Sequence, residues 1–511
     1  MAEKEYILAV DCGSTGIRAL IFNKKAEIIE RSYEKVEAIY PKPGWIENNP
    51  HDLVEKCIKV VKQVLQKIPA ESIAAIGITN QRASFLLWDR ETGQPVINII
   101  NWADVRAAEV TAKANKEFKW KLLQNIAKIG KLFGNPMLTV TTMLQFTTDH
   151  ATMRLRWALE NIEGLRQKCE SGKLIFGTIE SWLIYNLTGK KVIAMEVSNA
   201  SSTGLFNPFK LQWNKDLCSI QKIPMQILPE VKDSADDFGE TDPNLFGVPI
   251  PIRGAAGDQQ AALFGQCCFN PGDVKISQGS GAFVDMNVGD KPLFSKRGLF
   301  PLIGWRINGK PTFILEGYMA TAGTLIDWLG KGLGLSQNPD ELNELANSVE
   351  DTNGVVFVPA PNGLRFPYFD PYARLTVTGV SLSTKRAHVA RAVLEGFAFN
   401  LTDIITGMAE DTKIPIKMIR VDGGVSRSIL LLQMISDLSK TRLERATELD
   451  MTGTGAAFLA GLKVGFWKFE ELISLKSVAS AYEPKITQEI REKKMKMWKD
   501  AVSRSLNWRY E

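Results

Sequence analysis

Histidine is scarce in this sequence, with only His51, His150 and His388. Six cysteines, Cys12, Cys57, Cys169, Cys218, Cys267 and Cys268, are scattered, and no Cys-x-x-Cys spacing occurs. A disulfide framework, a structural zinc site and histidine-driven catalysis are thus poor descriptions of a chain of 511 residues. No apolar run approaches the ~18 residues of a membrane-spanning helix. The acidic lead-in Ala2-Glu3-Lys4-Glu5 does not suit a signal peptide. With reduced-looking cysteines, the expected location is the cytoplasm. Net charge is also small: 62 basic against 57 acidic residues give +5, spread along the chain, which leaves no electrostatic footprint for nucleic acid. There is no GxxxxGK[ST], which excludes a P-loop, and no GxGxxG follows the first strand. Chemistry is left to carboxylates, hydroxyls and backbone amides.

What remains is an ordinary globular composition, 45% hydrophobic and 23% charged. At roughly 100 to 200 residues per domain, the length predicts two to four domains. Ile7-Leu8-Ala9-Val10 runs into the small-residue turn Asp11-Cys12-Gly13-Ser14-Thr15-Gly16, and Ile17 to Phe22 resumes as a strand. Half a chain later the same grammar returns: Asp273 to Ser277, Gln278-Gly279-Ser280-Gly281, then Ala282 to Met286. This echo suggests a duplicated α/β unit. A third strand-to-turn signal is Met418 to Val421 into Asp422-Gly423-Gly424, followed by a helix over Ser428 to Leu438. Amphipathic helices are predicted over His51 to Lys67 and Lys385 to Met408, and a terminal one over Lys485 to Leu506 with Ile490, Met497, Trp498 and Val502 on one side. Strands alternating with helices predict α/β layering. The Asn270-Pro271-Gly272 turn places a boundary that divides residues 1–268 from 269–511.

Residues 113–133 interleave Lys113, Lys116, Lys119, Lys121, Lys128 and Lys131 with Phe118, Trp120, Leu122, Ile126, Ile129 and Phe133. Peripheral membrane contact is one reading; a helix packed on its own domain is the commoner outcome.

Gly/Ser turns after strands suit nucleotide phosphates, because backbone amides reach phosphate oxygens where no Cβ intervenes. Ser14, Thr15 and Ser280 add hydroxyls, and Asp11 at a strand end suits Mg²⁺. Each signal alone is weak, since an Asp-x-Gly turn is usually a hairpin. Asp258 lies in the small-residue run Gly254 to Gln260, after the strand-like Pro249 to Ile252. It reads either as a general base open to a ligand or as the N-cap of a helix over Gln259 to Phe264.

The segment Gly257-Asp258-Gln259-Gln260-Ala261-Ala262-Leu263-Phe264-Gly265-Gln266 resembles the catalytic segment of glycerol kinases in the FGGY carbohydrate kinase family. Ile78-Thr79-Asn80-Gln81-Arg82, Gly177 to Ile184, Phe357-Val358-Pro359-Ala360, Asp370 to Arg374 and Arg420 to Gly424 match as well. So does the C-terminal signature from Gly379 to Glu395, apart from Leu375 at its leading small position. The similarity runs from about Tyr6 to Trp508. It implies two actin/hexokinase-like (ribonuclease H-like) α/β domains with an interdomain cleft, and ATP with Mg²⁺ as cofactors. In that arrangement Asp11 and Asp258 serve the metal. Ser14, Thr15, Arg18, Ser280, Gly323 and Gly424 meet ATP. Arg82, Trp102, Asp258, Gln259 and Phe283 bind glycerol, and Asp258 is the base. Relatives are often homo-oligomers.

The pattern also departs from the family. A glycerol-binding glutamate is Ala83 here, and a substrate-contacting tyrosine is Asp149. Ala151 and Arg154 (a lysine in the family) alter the N-terminal signature, Ser428 and Asp327 alter the nucleotide side, and the interval from Trp102 to Trp157 is long. The glycine-rich loop for fructose bisphosphate of bacterial relatives is not apparent. These features are similar to the divergent metazoan branch known as glycerol kinase 5. Three functions follow as alternatives: phosphorylation of glycerol, phosphorylation of another small polyol or ketose, or a weakly catalytic nucleotide-binding regulator.

Overall fold

The structure is a computed structural model and describes residues 4–131, 142 and 145–509. Two large sheets organise it. The first orders its strands Ile252–Gly257, Ile73–Asn80, Tyr6–Cys12, Gly16–Phe22 and Ile28–Lys35. Its last three strands form an antiparallel meander, and Ile73–Asn80 and Ile252–Gly257 extend it in parallel. Tyr6–Cys12 is apolar and buried almost throughout, as a central strand covered on both faces requires. Ile28–Lys35 at the edge alternates half-buried and exposed residues instead.

The second sheet repeats this plan. Asp273–Gln278, Ala282–Gly289 and Lys310–Met319 form the meander, and Met418–Asp422 and Leu443–Ala446 continue it in parallel. Phe300–Ile307 and Val478–Tyr482 are added at the edges. The Gly-Ser echo in the sequence thus marks the same turn, between the first two strands, in each half.

Each plan ends in a helix that follows the outer parallel strand: Asp258–Gly265 in the first and Met451–Lys463 in the second. The two helices pack together at the waist of the molecule. Approach is so close that a Cβ on Gly455 would stand 1.8 Å from the Ala261 carbonyl oxygen. Met451–Lys463 also lies on the first sheet, so a helix from the second half closes the core of the first.

Elsewhere the helices follow their sequence signals with small shifts. Asn49 caps Pro50–Leu65, its side chain accepting from the amides of His51 and Asp52, and Leu53, Cys57, Val60, Val61 and Val64 form the buried stripe. The long helix is Arg386–Thr412, and Ser428 caps Ile429–Ser439. The terminal helix is Gln488–Ser505; Trp498 and Val502 are buried there, but Ile490, near its start, is exposed rather than packed. Pro249 to Ile252 is not a strand as a whole: the strand begins at Ile252 and takes in the small residues that follow.

The basic stretch at residues 113–133 is two helices, Ala108–Lys116 and Phe118–Lys131, parted at Glu117. The carboxylate of Glu117 pairs with the buried Arg156. Trp120 is buried against Phe146, with ring centroids 4.6 Å apart, while Phe118, Leu122 and Ile126 stay exposed. Phe133 lies outside the described residues, as do the side chains of Ile129 and Lys131. Among the described residues, no helix is long and apolar enough to cross a membrane.

Candidate active site

A cleft of about 780 Å³ opens between the two sheets. Its first wall is built from strand ends of the first sheet. Tyr6–Cys12 delivers Asp11 and the turn Gly13-Ser14-Thr15, Ile73–Asn80 delivers Gln81 and Arg82, and Ile252–Gly257 delivers Asp258 and Gln259. The facing wall carries the equivalent turns of the second sheet, Gly279-Ser280-Gly281 and Gly423-Gly424, with Phe283 on the adjoining strand. Gly423 has φ 87°, and a Cβ there would meet the Gln278 backbone at 2.5 Å; at Gly424 the same atom would enter open space. The first glycine makes the turn and the second leaves room beside it.

Of the residues proposed from sequence, Asp11, Ser14, Thr15, Arg18, Arg82, Trp102, Asp258, Gln259, Ser280, Phe283 and Gly424 line this one cleft. Gly323 stands one layer back, its amide donating to the Gly279 carbonyl at 3.0 Å. It supports the Gly279-Ser280 turn from behind; backbone packing, invisible to motif matching, puts it there.

Asp258 is the first residue of its helix, not the cap. Gly257 takes the extended flanking conformation, and the Asp258 carboxylate accepts from the Gln259 amide at 2.8 Å. Arg82 Nε lies 3.4 Å from that carboxylate. Burial pushes the Asp258 carboxyl up, and the Arg82 guanidinium offsets part of the rise. The Gly257 amide donates to Ser198 Oγ at 2.9 Å, and Ser198 in turn donates to the buried Glu196 at 2.5 Å. Asp258 is therefore fixed from behind as well as from the side.

Asp11 accepts from Thr452 Oγ1 at 2.8 Å and lies 3.5 Å from Arg18 Nη1. Burial raises its carboxyl to about 6, against the pull of Arg18 and with a further upward push from Asp258 and Asp450. Arg18 itself reaches Asp450 at 2.7 Å, on the loop before Met451–Lys463. Ser14 Oγ donates to Gln81 Oε1 at 2.8 Å and accepts from Trp102 Nε1 at 3.0 Å, so it joins the first turn to the neighbouring pocket.

Sequence reasoning missed the charges behind the second wall. Arg82 Nη2 lies 2.6 Å from Glu316 Oε2. Glu316 sits opposite Asp285 in the sheet. Asp285 pairs with the fully buried Lys275 at 2.6 Å, and Lys275 Nζ donates to Gln259 Oε1 at 2.7 Å. The signal was present: Lys275, Asp285 and Glu316 each interrupt an apolar strand, and a charge there must find a partner. Tyr318 was missed too. Its hydroxyl donates to Asp149 Oδ2 at 2.8 Å, and its ring stacks on Phe283 with centroids 5.4 Å apart.

Chemically, the cleft joins two amide-rich turns, a carboxylate fit for a cation, and a second carboxylate beside an arginine and an aromatic wall. That combination can hold a polyanion at one end and a small polar molecule at the other.

Comparison with known proteins agrees with the geometry. The family model "FGGY family of carbohydrate kinases, N-terminal domain" matches residues 6–265, and its C-terminal counterpart matches residues 274–464. "Glycerol kinase 2" of Thermotoga maritima is 41% identical over 511 residues, covering 99% of both chains. "Glycerol kinase" of Francisella philomiragia is 43% identical, again over 99% of both. Among solved structures, Plasmodium falciparum glycerol kinase with ADP superposes with a TM-score of 0.90 at 32% identity over 99% of each chain. Gluconate kinase from Lactobacillus acidophilus, at 20% identity and a TM-score of 0.81 over 98% of this chain and 96% of its own, shares the fold. The chain belongs to the FGGY family of carbohydrate kinases.

Proposed function

We propose that this protein transfers the γ-phosphoryl group of ATP to glycerol, giving sn-glycerol 3-phosphate. The observation that carries this reading is the position of Asp258. It lines the cleft with Arg82 at 3.4 Å and its own Gln259 beside it, on the wall that also bears Asp11 and Ser14. Full-length identity of 41–43% to proteins named glycerol kinase supports glycerol as the acceptor.

In this mechanism Arg82, Trp102, Gln259 and Phe283 hold the polyol, and Asp258 accepts the proton of a primary hydroxyl as that oxygen attacks phosphorus in line. No covalent enzyme intermediate is needed. Amides of the Gly13-Ser14-Thr15 and Gly279-Ser280 turns, with Gly424 alongside, receive the phosphates, so positioning and charge stabilisation supply most of the acceleration. Arg18, now paired with Asp450, stands ready for phosphate charge.

Asp11 and Asp258 are the residues to hold Mg²⁺. The donor set fits: two carboxylates, the Asp11 one pushed up by burial and by the Asp258 charge, beside a turn rich in backbone amides suit a cation bound through one or two carboxylates. When bound, Mg²⁺ neutralises charge on the phosphates. Closure of the two domains excludes water as a competing acceptor.

A second small polyol or ketose is favoured by one feature: Ala83 offers no side-chain acceptor in the cleft that Asp149 and Tyr318 also line. A purely regulatory nucleotide binder has no need of a base opposite the phosphates. All six cysteines are buried free thiols, in keeping with a cytoplasmic location.

The test is an ATP-turnover screen over glycerol, longer polyols and ketoses. Glycerol is expected to give the highest kcat/KM. Stimulation by a ketose alone supports the second reading, and ATP binding without turnover on any acceptor contradicts both.

A further inference from the structure

Arg154 lies on the helix Ala151–Asn161 and is completely buried, yet its guanidinium meets no carboxylate oxygen at ion-pairing distance among the described residues. Its hydrogen bonds all go to backbone carbonyls. Nε donates to Thr148 at 3.0 Å, Nη1 to Ile100 at 3.4 Å and to Asn101, and Nη2 to Ala83 at 3.0 Å and Asp149 at 3.1 Å. A guanidinium has five N–H groups in a rigid fork, and here each has an acceptor.

The three segments held in this way are not random backbone. Ala83 follows Arg82 and is itself in the left-handed region, with φ 61°. Asn101 precedes Trp102, whose amide is tied to Ser84 Oγ at 2.9 Å. Asp149 receives the Tyr318 hydroxyl from the opposite wall. Every segment therefore presents a side chain to the acceptor end of the cleft, and none belongs to the turns assigned to the phosphates.

We propose that Arg154 is a positioning residue for the acceptor substrate: one buried cation gathers the loops at 81–84, 100–102 and 148–149 and sets the shape of the polyol pocket. The inference rests on the assignment of that end of the cleft to the acceptor. The lysine that the family carries here keeps the charge but has only three donors on one nitrogen, and in loops arranged around a guanidinium fork it cannot serve five carbonyl groups on three segments.

The experiment compares Arg154→Lys with Arg156→Lys. Arg156 is also buried, but its guanidinium is directed to Glu117, Glu160 and Gln221, away from the cleft, which makes it the control for loss of a buried arginine. In Arg154→Lys, amide hydrogen exchange is expected to quicken in residues 81–84, 100–104 and 147–150 and not in the 13–16 or 279–281 turns. Glycerol KM is expected to rise about tenfold or more, while ATP KM stays within about twofold; Arg156→Lys shows neither change. Unaltered exchange in the three segments, or equal shifts in both KM values, overturns the proposal. Wild-type protein without glycerol turnover contradicts the acceptor assignment instead, and the exchange comparison still decides whether Arg154 holds these loops.

Discussion

Arg82 Nη2 stands 2.6 Å from Glu316 Oε2, an ion pair that spans the cleft from the first sheet to the second, with both side chains nearly buried. The same guanidinium faces Asp258, so the contact that joins the two halves also sets the charge beside the proposed base. Glu316→Ala leaves Arg82 buried and half-compensated. Losing one partner of a buried pair costs about 3–5 kcal/mol. Urea denaturation is expected to show a loss of that order and a fall in kcat/KM. Unchanged stability would mean water already screens the pair.

Lys275 offers a way to separate stability from function. It pairs with Asp285 and holds Gln259. Lys275→Met strands the Asp285 carboxylate and is expected to destabilise the protein by about 3–5 kcal/mol, whereas Lys275→Met with Asp285→Leu recovers most of that loss. Turnover is not expected to recover, because Gln259 stays without its donor. A double variant as active as the wild type would remove Lys275 from the account.

These pairs also mark where the sequence was legible. The strand-turn-strand signals at Asp11 and Gln278 predicted the duplicated unit, because β-branched runs and small-residue turns are local properties. The small-residue run Gly254 to Gln260 singles out Asp258 for the same reason, and Asp258 lines the cleft. Glu316 is not identified from sequence because Arg82 lies in the other half and only the fold brings them together, whereas Lys275 and Asp285 face each other across one hairpin and only their register, not their distance, hides the pair. Gly323, which the resemblance expects to meet ATP, gives its amide to the Gly279 carbonyl, a backbone contact that no motif reveals. Small polar residues favour the cap position, so the sequence also allows Asp258 as a cap, but Gly257 takes the cap conformation.

Glu180 gives a pH test away from the reacting groups. It is fully buried, accepts from Thr178 Oγ1 at 2.8 Å, and burial raises its carboxyl from 4.5 to about 8. The folded protein keeps the proton while the unfolded chain releases it above about 4.5. Stability from this group is therefore complete below pH ~4.5 and declines as pH rises toward 8, by up to about 1.4 kcal/mol per pH unit. Glu180→Gln is expected to flatten the stability profile between pH 5 and 8, measured by denaturant midpoints. A profile of unchanged slope contradicts the burial argument.

Ala83 lines the cleft beside Arg82, at the end proposed for the acceptor. Placing a carboxylate there adds an acceptor for a substrate hydroxyl, and a hydrogen bond to a charged group is worth about 1.5–3 kcal/mol. Ala83→Glu is expected to lower glycerol KM by on the order of ten- to a hundredfold. An unchanged KM would mean that the Tyr318–Asp149 pair already supplies that interaction.

The central claim is that Asp258 takes the proton of the acceptor hydroxyl. It is tested most directly by following ADP formation from ATP and glycerol with the wild type and Asp258→Asn, each first shown to be folded and to bind ATP. General-base catalysis contributes about 10²–10⁴-fold, so kcat is expected to fall by at least about a hundredfold while ATP affinity persists. Turnover by Asp258→Asn within about tenfold of the wild type would contradict the mechanism.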